Sequence, residues 1–315
     1  MILITGGMGF IGMHTVRQLL DAGEDVVIGV HSSRREPDIF KDEIGKRVQI
    51  AQLDVTSGFG LIDTMQKYKV TRMAHLVAPR LGAMGPGEEL RTNTAGLVNV
   101  LEGARLAGLE RVAIASSVSV YSGIKEGPYK EDITLPVGSL NSTEAYKKTF
   151  EILGGFYASQ TGLDTVFMRI GNIFGPLYYS GFNLPSRLVK AAVTGQPPQY
   201  GPAGTPFSED QGDWTYVKDV SKGIQLLVMA DKLNHLVYNI SSGKPTRLGN
   251  LAEAVSKAVP GANFELQPGR SPNARISPYS DISRISADTG YEPKYSLEPA
   301  INEYAEWMKA TPEWS

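Results

Sequence analysis

A chain of 315 residues has room for one large or two smaller domains, and its 42% apolar and 20% charged residues furnish a core and exclude a disordered chain. The formal net charge of −2 and the lack of a basic run exclude bulk nucleic-acid binding. The absence of cysteine excludes a disulfide framework, thiolate metal sites and cysteine nucleophiles, and no apolar run reaches the roughly 18 residues of a membrane-spanning helix. Met1-Ile2-Leu3-Ile4 runs straight into Thr5-Gly6-Gly7, with neither the basic nor the apolar region of a signal peptide, so a cytoplasmic protein is expected.

Short β-branched runs alternate with amphipathic stretches through the first half. Ile2-Leu3-Ile4 is followed by a helical segment from Gly12 to Leu20 and by Val26-Val27-Ile28. The rhythm repeats with Val48 to Ala51, a helix around Leu61 to Tyr68, and Arg72 to Val77. A helical run near Thr94 to Ala107 precedes Val112 to Ala115, and a long helix near Thr143 to Ser159 leads to the strand Thr165 to Ile170. Strands alternating with helices predict βαβ units and a parallel sheet. From 175 to 212 Gly and Pro are dense, which marks a binding loop region. Residues 243–315 read as a small mixed piece ending in a helix around Leu297 to Met308. The expected fold is α/β, a Rossmann-type doubly wound parallel sheet with a smaller C-terminal substrate-binding αβ domain. Residues 1–172 with about 213–240 would form the dinucleotide-binding domain, and about 173–212 with 241–315 the substrate-binding domain.

Glycines at 6, 9 and 12 lie between the first strand and the first helix. Glycine lets the backbone turn sharply and approach a pyrophosphate, which meets free N–H groups at the helix N-terminus. NAD sites place a carboxylate at the end of the second strand to accept from ribose hydroxyls. Here that place reads His31-Ser32-Ser33-Arg34-Arg35, with no acid until Glu36. Hydroxyls followed by guanidiniums suit the 2′-phosphate of NADP. A solvated basic turn is the plainer alternative, which leaves NAD open.

Further motifs follow in order: Leu53-Asp54-Val55, His75-Leu76-Val77-Ala78, Asn93-Thr94-Ala95-Gly96, Ser116 to Tyr121, Arg169 to Pro176, and Asp213 to Val220. With the glycine loop they make the chain resemble the extended short-chain dehydrogenase/reductase family, the NAD-dependent epimerase/dehydratases, over nearly its whole length. That resemblance implies cofactor contacts at Gly6, Gly9, Phe10, Ile11, Gly12, His31, Ser32, Ser33, Arg34, Asp54, Val55, Leu76, Val77, Ala78, Asn93, Lys147 and Ile173. It also implies a homodimer in which two helices of each subunit form a bundle.

In that family a Ser or Thr and a Tyr hydrogen-bond the reacting oxygen, and a Lys four residues after the Tyr holds the nicotinamide ribose. A Glu often follows four residues later. The resemblance puts the first hydroxyl at Ser117. Two helix registers are open. Tyr146 as the family tyrosine puts Phe150 at the lysine position; Lys147 as the lysine puts Glu151 at the acid and Thr143 at the tyrosine. The second keeps the usual distance to Thr161-Gly162 and is preferred. An aliphatic hydroxyl at Thr143 cannot exchange protons as a phenol of pKa ~10 drawn down by a cation does. It can still hydrogen-bond a carbonyl oxygen. Tyr146 either lends a displaced phenol or packs as an ordinary aromatic, and Lys148 is expected on a solvated helix face.

Nucleotide-sugar members typically carry an Arg just before the Asp-aromatic pair, where this chain has Gly212 after Glu209-Asp210-Gln211. Acids there would repel a diphosphate, so a substrate other than a typical nucleotide-diphosphate sugar is expected. Arg80, Asn172 and Arg270 are the candidate substrate contacts, and Tyr178, Tyr179, Phe182 and Phe207 would suit a more apolar ligand. The four histidines show no metal-ligand spacing, so no metal site is expected. The leading expectation is an oxidoreductase, epimerase or dehydratase using NADP or NAD on a small hydroxy or carbonyl substrate. The alternative is a catalytically impaired nucleotide sensor or partner-binding protein.

Overall fold

The computed structural model describes residues 1–32, 37–77, 84–201 and 204–311. Its centre is a seven-stranded sheet of β1 (Ile2–Thr5), β2 (Val26–Val30), β3 (Val48–Gln52), β4 (Arg72–His75), β5 (Arg111–Ser117), β6 (Thr165–Ile170) and β10 (Val237–Ile240), in the order β10-β6-β5-β4-β1-β2-β3. Every neighbouring pair is parallel. The order reverses between β1 and β4, which opens a crevice beyond the strands' carboxyl ends, where such folds bind ligands.

Alternation along each strand divides the core into two layers. Ile2, Ile4, Val26, Ile28, Val166 and Met168 pack with Met13 and Val16 of α1 (Phe10–Asp21) and Val220 and Ile224 of α6 (Val217–Met229). On the other face Leu3, Val27, Ile114 and Phe167 meet α2 (Gly58–Lys67), α3 (Pro86–Ala107) and α4 (Ser142–Thr161). Burial on both faces explains why these strands read as continuous apolar runs. A third cluster joins α5 (Leu184–Thr194), α7 (Leu248–Ala258) and α9 (Leu297–Ala310) around Phe174 and Tyr216. The strands β7 (Asn172–Phe174) and β9 (Trp214–Tyr216) run parallel beside it; β8 (Gln211–Gly212) and β11 (Thr246–Arg247) pair antiparallel. A short α8 (Ser283–Thr289) packs behind β10.

Several element boundaries differ from the sequence expectation. α3 starts at Pro86 rather than near Thr94, with Gly85 before it and Glu88 and Glu89 in its first turn. Proline at the first position and acids near the positive end of the helix dipole start a helix without any apolar periodicity to announce it. α1 begins at Phe10, and β4 ends at His75.

Two histidines are buried in these layers. His14 donates from Nε2 to the Pro176 carbonyl at 3.0 Å, and His75 Nδ1 is hydrogen-bonded to Thr5 Oγ1 at 2.8 Å. Burial, with a small push from Lys218, takes His14 down to about 4; burial and then the Lys147 charge take His75 to about 3. Below the ordinary histidine value the unfolded chain therefore binds protons that the folded chain refuses. Stability should fall as pH drops from about 6.5 toward 4, by a few kcal/mol in all. Urea titrations across that range should show a flatter pH dependence for His14→Gln than for the parent.

Candidate active site

The glycine loop is built by close backbone contact. Gly6 has φ +78°, and Gly9 N–H donates back to the Gly6 carbonyl at 2.9 Å. A Cβ on Gly12 would stand 2.1 Å from the Gly6 carbonyl oxygen, and one on Gly6 3.1 Å from the Leu76 carbonyl carbon and the Val77 nitrogen. α1 therefore starts hard against the loop, with Gly9 at its N-cap and no side chain capping it. Beside it lies a cavity of about 580 Å³ lined by Gly6, Gly9, His31, Asp54, Glu88 and Thr92, among others. A cradle that side chains would fill, opening on uncapped helix N–H groups, fits a dinucleotide phosphate.

Around it, His31 and Ser32 follow β2, and Asp54 accepts from Thr56 N–H and Oγ–H at 2.8 Å each. Val55 packs against Gly96 and accepts from Asn99 through its carbonyl. Leu76 N–H donates to Thr5, Val77 lines the cavity, and Asn93 is buried and donates to the Glu89 carbonyl. The Phe10 ring turns the other way, onto Tyr178 at 4.8 Å, and Ile11 packs in the core, so these two can serve the loop only through their backbones. Ile173 joins the two cores behind β7. Ser33, Arg34, Ala78 and Arg80 lie outside the described residues.

On α4, Lys147 is 7% exposed and its Nζ donates to the Ala115 carbonyl at 2.6 Å, 4.8 Å from the centre of the Phe150 ring. Burial draws its ammonium down to about 8, against a smaller opposing pull from Glu151. That carboxylate is engaged elsewhere: Arg169 meets it through Nη2 at 2.7 Å and Nε at 3.0 Å, and Ser116 Oγ donates to it at 2.5 Å. Ser117, at the end of β5, accepts from Ser119 N–H at 3.1 Å, which leaves its own proton free to donate. Thr143 stands half-buried in the first turn of α4, one turn before Lys147. Tyr146 packs with the apolar layer that α4 shares with α3, and burial and the Glu89 charge raise its phenol.

Lys148 departs from its expected solvated face. It is 7% exposed and donates to the carbonyls of Pro136 and Gly138 and to Glu144, itself fully buried. The loop ahead of α4 folds over this pair, and nothing in the local spacing signals it.

At the other end, Asp213 is buried, accepting from Ser242 Oγ and Ser280 N–H, and burial raises its carboxyl. A Cβ on Gly212 would lie 2.8 Å from Trp214 Nε1, so the indole fills the space a side chain there would need. The neighbouring acids have protein partners: Glu209 pairs with Arg247 at 3.3 Å, and Asp210 accepts from Ser271 N–H. Asn172 is exposed and donates to the Asp213 carbonyl; Arg270 is exposed and donates to the Arg275 carbonyl. Tyr179 meets Trp307 edge to face and Tyr178 packs on Phe10, whereas Phe182 of the same loop is exposed.

The model of the NAD dependent epimerase/dehydratase family matches residues 2–241. The chain belongs to that family. It is 25% identical to the UDP-glucuronate 4-epimerase of Thermodesulfobacterium geofontis, over 98% of this chain and 95% of the relative. The UDP-glucose 4-epimerase of Thermotoga maritima, solved with UDP-glucose, superposes with a TM-score of 0.81 at 22% identity over 99% of each chain. A dTDP-glucose 4,6-dehydratase of Bacillus anthracis, solved with NAD, gives 0.81 at 20% identity over 99% of this chain and 97% of that one. These relatives carry nucleotide-sugar names, and they lend no support to the expectation of a different substrate class.

Lys147 yields a prediction of opposite sign for fold and function. Its amine titrates below the ordinary lysine value of 10.5, so the unfolded chain binds more protons between about 8 and 10.5 and stability rises with pH across that window. Lys147→Met should therefore stabilise the nucleotide-free protein at neutral pH, with a gain that fades toward pH 10.5 in urea titrations. Tyr146→Phe, which keeps the ring that packs against the apolar layer, should move stability by less than ~0.5 kcal/mol.

Proposed function

We propose that the protein is a nicotinamide-dependent epimerase, dehydratase or reductase that moves a hydride at a hydroxyl- or carbonyl-bearing carbon of a sugar-like substrate. The observation that carries this is the buried Lys147 amine, held against the Ala115 carbonyl of β5 and one turn from Thr143, in a fold whose glycine cradle opens on a cavity of about 580 Å³. The bound nicotinamide supplies the hydride acceptor or donor. Lys147 holds the ribose hydroxyls, exchanging its bond to Ala115 for charge-assisted bonds to them. Ser117 donates its free proton to the reacting oxygen, and Thr143 adds a second hydrogen bond without the acid strength of a phenol. Asn172 and Arg270 are the substrate contacts in this reading, and NADP rather than NAD is its narrower form.

Nucleotide sugars are the first substrates to try, because the relatives named above act on them. With Gly212 covered by Trp214, a diphosphate would rest on groups other than a guanidinium at that position. Incubation with UDP-glucose, UDP-glucuronate and dTDP-glucose, followed by nicotinamide absorbance and product analysis, tests the reaction. Calorimetry should show dinucleotide binding by the parent and roughly tenfold weaker binding by Lys147→Met. Unaltered binding in that variant would overturn the assignment of Lys147.

A homodimer belongs to the same proposal. α3 exposes Leu90, Val98 and Leu106, and α4 exposes Ile152, Leu153 and Phe156, an apolar surface of the kind that marks an association site. Val98→Glu with Phe156→Glu should convert a dimer to a monomer in sedimentation; a parent that already sediments as a monomer would exclude this interface.

A further inference from the structure

We infer that Arg187 is a phosphate contact of the substrate, its guanidinium held ready by two loop carbonyls; this rests on the nucleotide-sugar reading above. Neither Gly212 nor Trp214, which covers it, brings a cation to a diphosphate, so the charge has to come from another element. α5 carries a cation that the fold leaves without a counter-ion.

Arg187 stands one turn into α5 and is partly buried. Its backbone N–H donates to the carbonyl of Asn183, the N-cap residue, whose side-chain amide donates to the Ile173 carbonyl at 2.6 Å. α5 is thereby fixed to β7, the strand that opens with the candidate substrate contact Asn172. From there the arginine side chain joins two loops. Nε donates to the Gly181 carbonyl and Nη1 to the Tyr200 carbonyl, both at 2.9 Å. Gly201 makes room for it: its φ is +80°, and a Cβ there would lie 2.9 Å from Nη1. A guanidinium has five N–H groups, so three remain, one on Nη1 and two on Nη2.

No carboxylate meets them among the described residues. From Gly171 to Ser208 the chain has no Asp or Glu, whereas it has Arg187 and Lys190. α7 and α9 pack on α5, but each of their acids is paired with a lysine: Glu253 and Glu298 with Lys257, Glu303 with Lys218, Glu306 with Lys309. Carbonyls thus hold the guanidinium in place without neutralising it. A planar cation preset in this way matches phosphate oxygens and loses little freedom on binding them. Bracing two loops needs only a neutral donor such as an amide. A permanent charge adds nothing to bracing, and its partial burial is offset only by an anion.

Calorimetry of UDP against the full-length protein, with uridine read through its displacement of bound UDP, tests this beside Arg187→Met and Arg187→Lys. UDP should bind Arg187→Met roughly tenfold to hundredfold more weakly than the parent, the range of a hydrogen bond to a charged group. Uridine, which lacks phosphate, should bind the parent and this variant alike. Arg187→Lys should recover part of the loss, because the charge stays while the fork is gone. Equal weakening of UDP and uridine would mean that Arg187 only braces the loops, and would overturn the inference. Unchanged UDP binding in Arg187→Met would overturn it as well. Failure of the parent itself to bind UDP would remove the nucleotide-sugar reading, and this inference with it, while leaving dinucleotide binding intact.

Discussion

Arg169 and Glu151 meet beneath the cleft, both nearly excluded from water, and much of the site's geometry hangs from their ion pair. A buried pair of charges is tolerated only when its remaining hydrogen-bonding groups are satisfied. Here they are. Glu151 also accepts from Ser116 of β5; Arg169 Nη1 donates to the Tyr121 hydroxyl and the Glu131 carbonyl. Tyr121 in turn donates to Asn239 of β10, whose own N–H donates to the Glu131 carboxylate. One network therefore fixes α4 against β5, β6 and β10 together. Breaking it at one member leaves a charge buried without a partner, so the helix carrying Thr143 and Lys147 has little freedom to rotate or slide.

The same network explains the electrostatics of Lys147. Glu151 is one turn along the same helix and would ordinarily hold a neighbouring ammonium charged. Because Arg169 has claimed that carboxylate, Lys147 retains, among the described residues, a carbonyl and a ring face, and burial dominates. The nearest histidine offers no relief, since His75 is tied to Thr5 and is itself held neutral by burial. An amine kept short of partners inside a cleft gains from any ligand that brings hydroxyl oxygens to it. On the proposed reading the ribose does this, and the helix is preorganised at the expense of the empty protein's stability.

The glycine loop and the alternation of parallel strands with helices were legible because both depend on short-range rules. Close packing of Gly12 on Gly6 needs glycine at fixed spacing, and strands buried on both faces must be apolar throughout. Lys147 and Glu151, four residues apart, both lie on the side of α4 that turns toward the sheet. What stayed hidden depends on partners distant in the chain. Lys148 is covered by carbonyls of a loop, which no periodicity encodes, so a lysine beside another lysine read as solvated. Glu209 and Asp210 read as an acidic barrier, but Arg247 and the Ser271 backbone occupy them. The start of α3 was missed because Pro86 and two glutamates announce it by capping chemistry, not by apolar spacing.

Three positions depart from the family pattern, His31, Thr143 and Gly212. At each, recognition depends on a side chain, whereas the glycine cradle is made of backbone. Backbone recognition survives sequence drift as long as the glycines remain, so it preserves the fold's general capacity for a dinucleotide. Side-chain recognition can change one residue at a time, provided the neighbours accommodate it. The Trp214 indole lying over Gly212 is such an accommodation: restoring an arginine there would require the indole to move as well. Kinship with nucleotide-sugar enzymes therefore constrains the fold and its glycine cradle more tightly than it constrains the side chains that would meet a substrate.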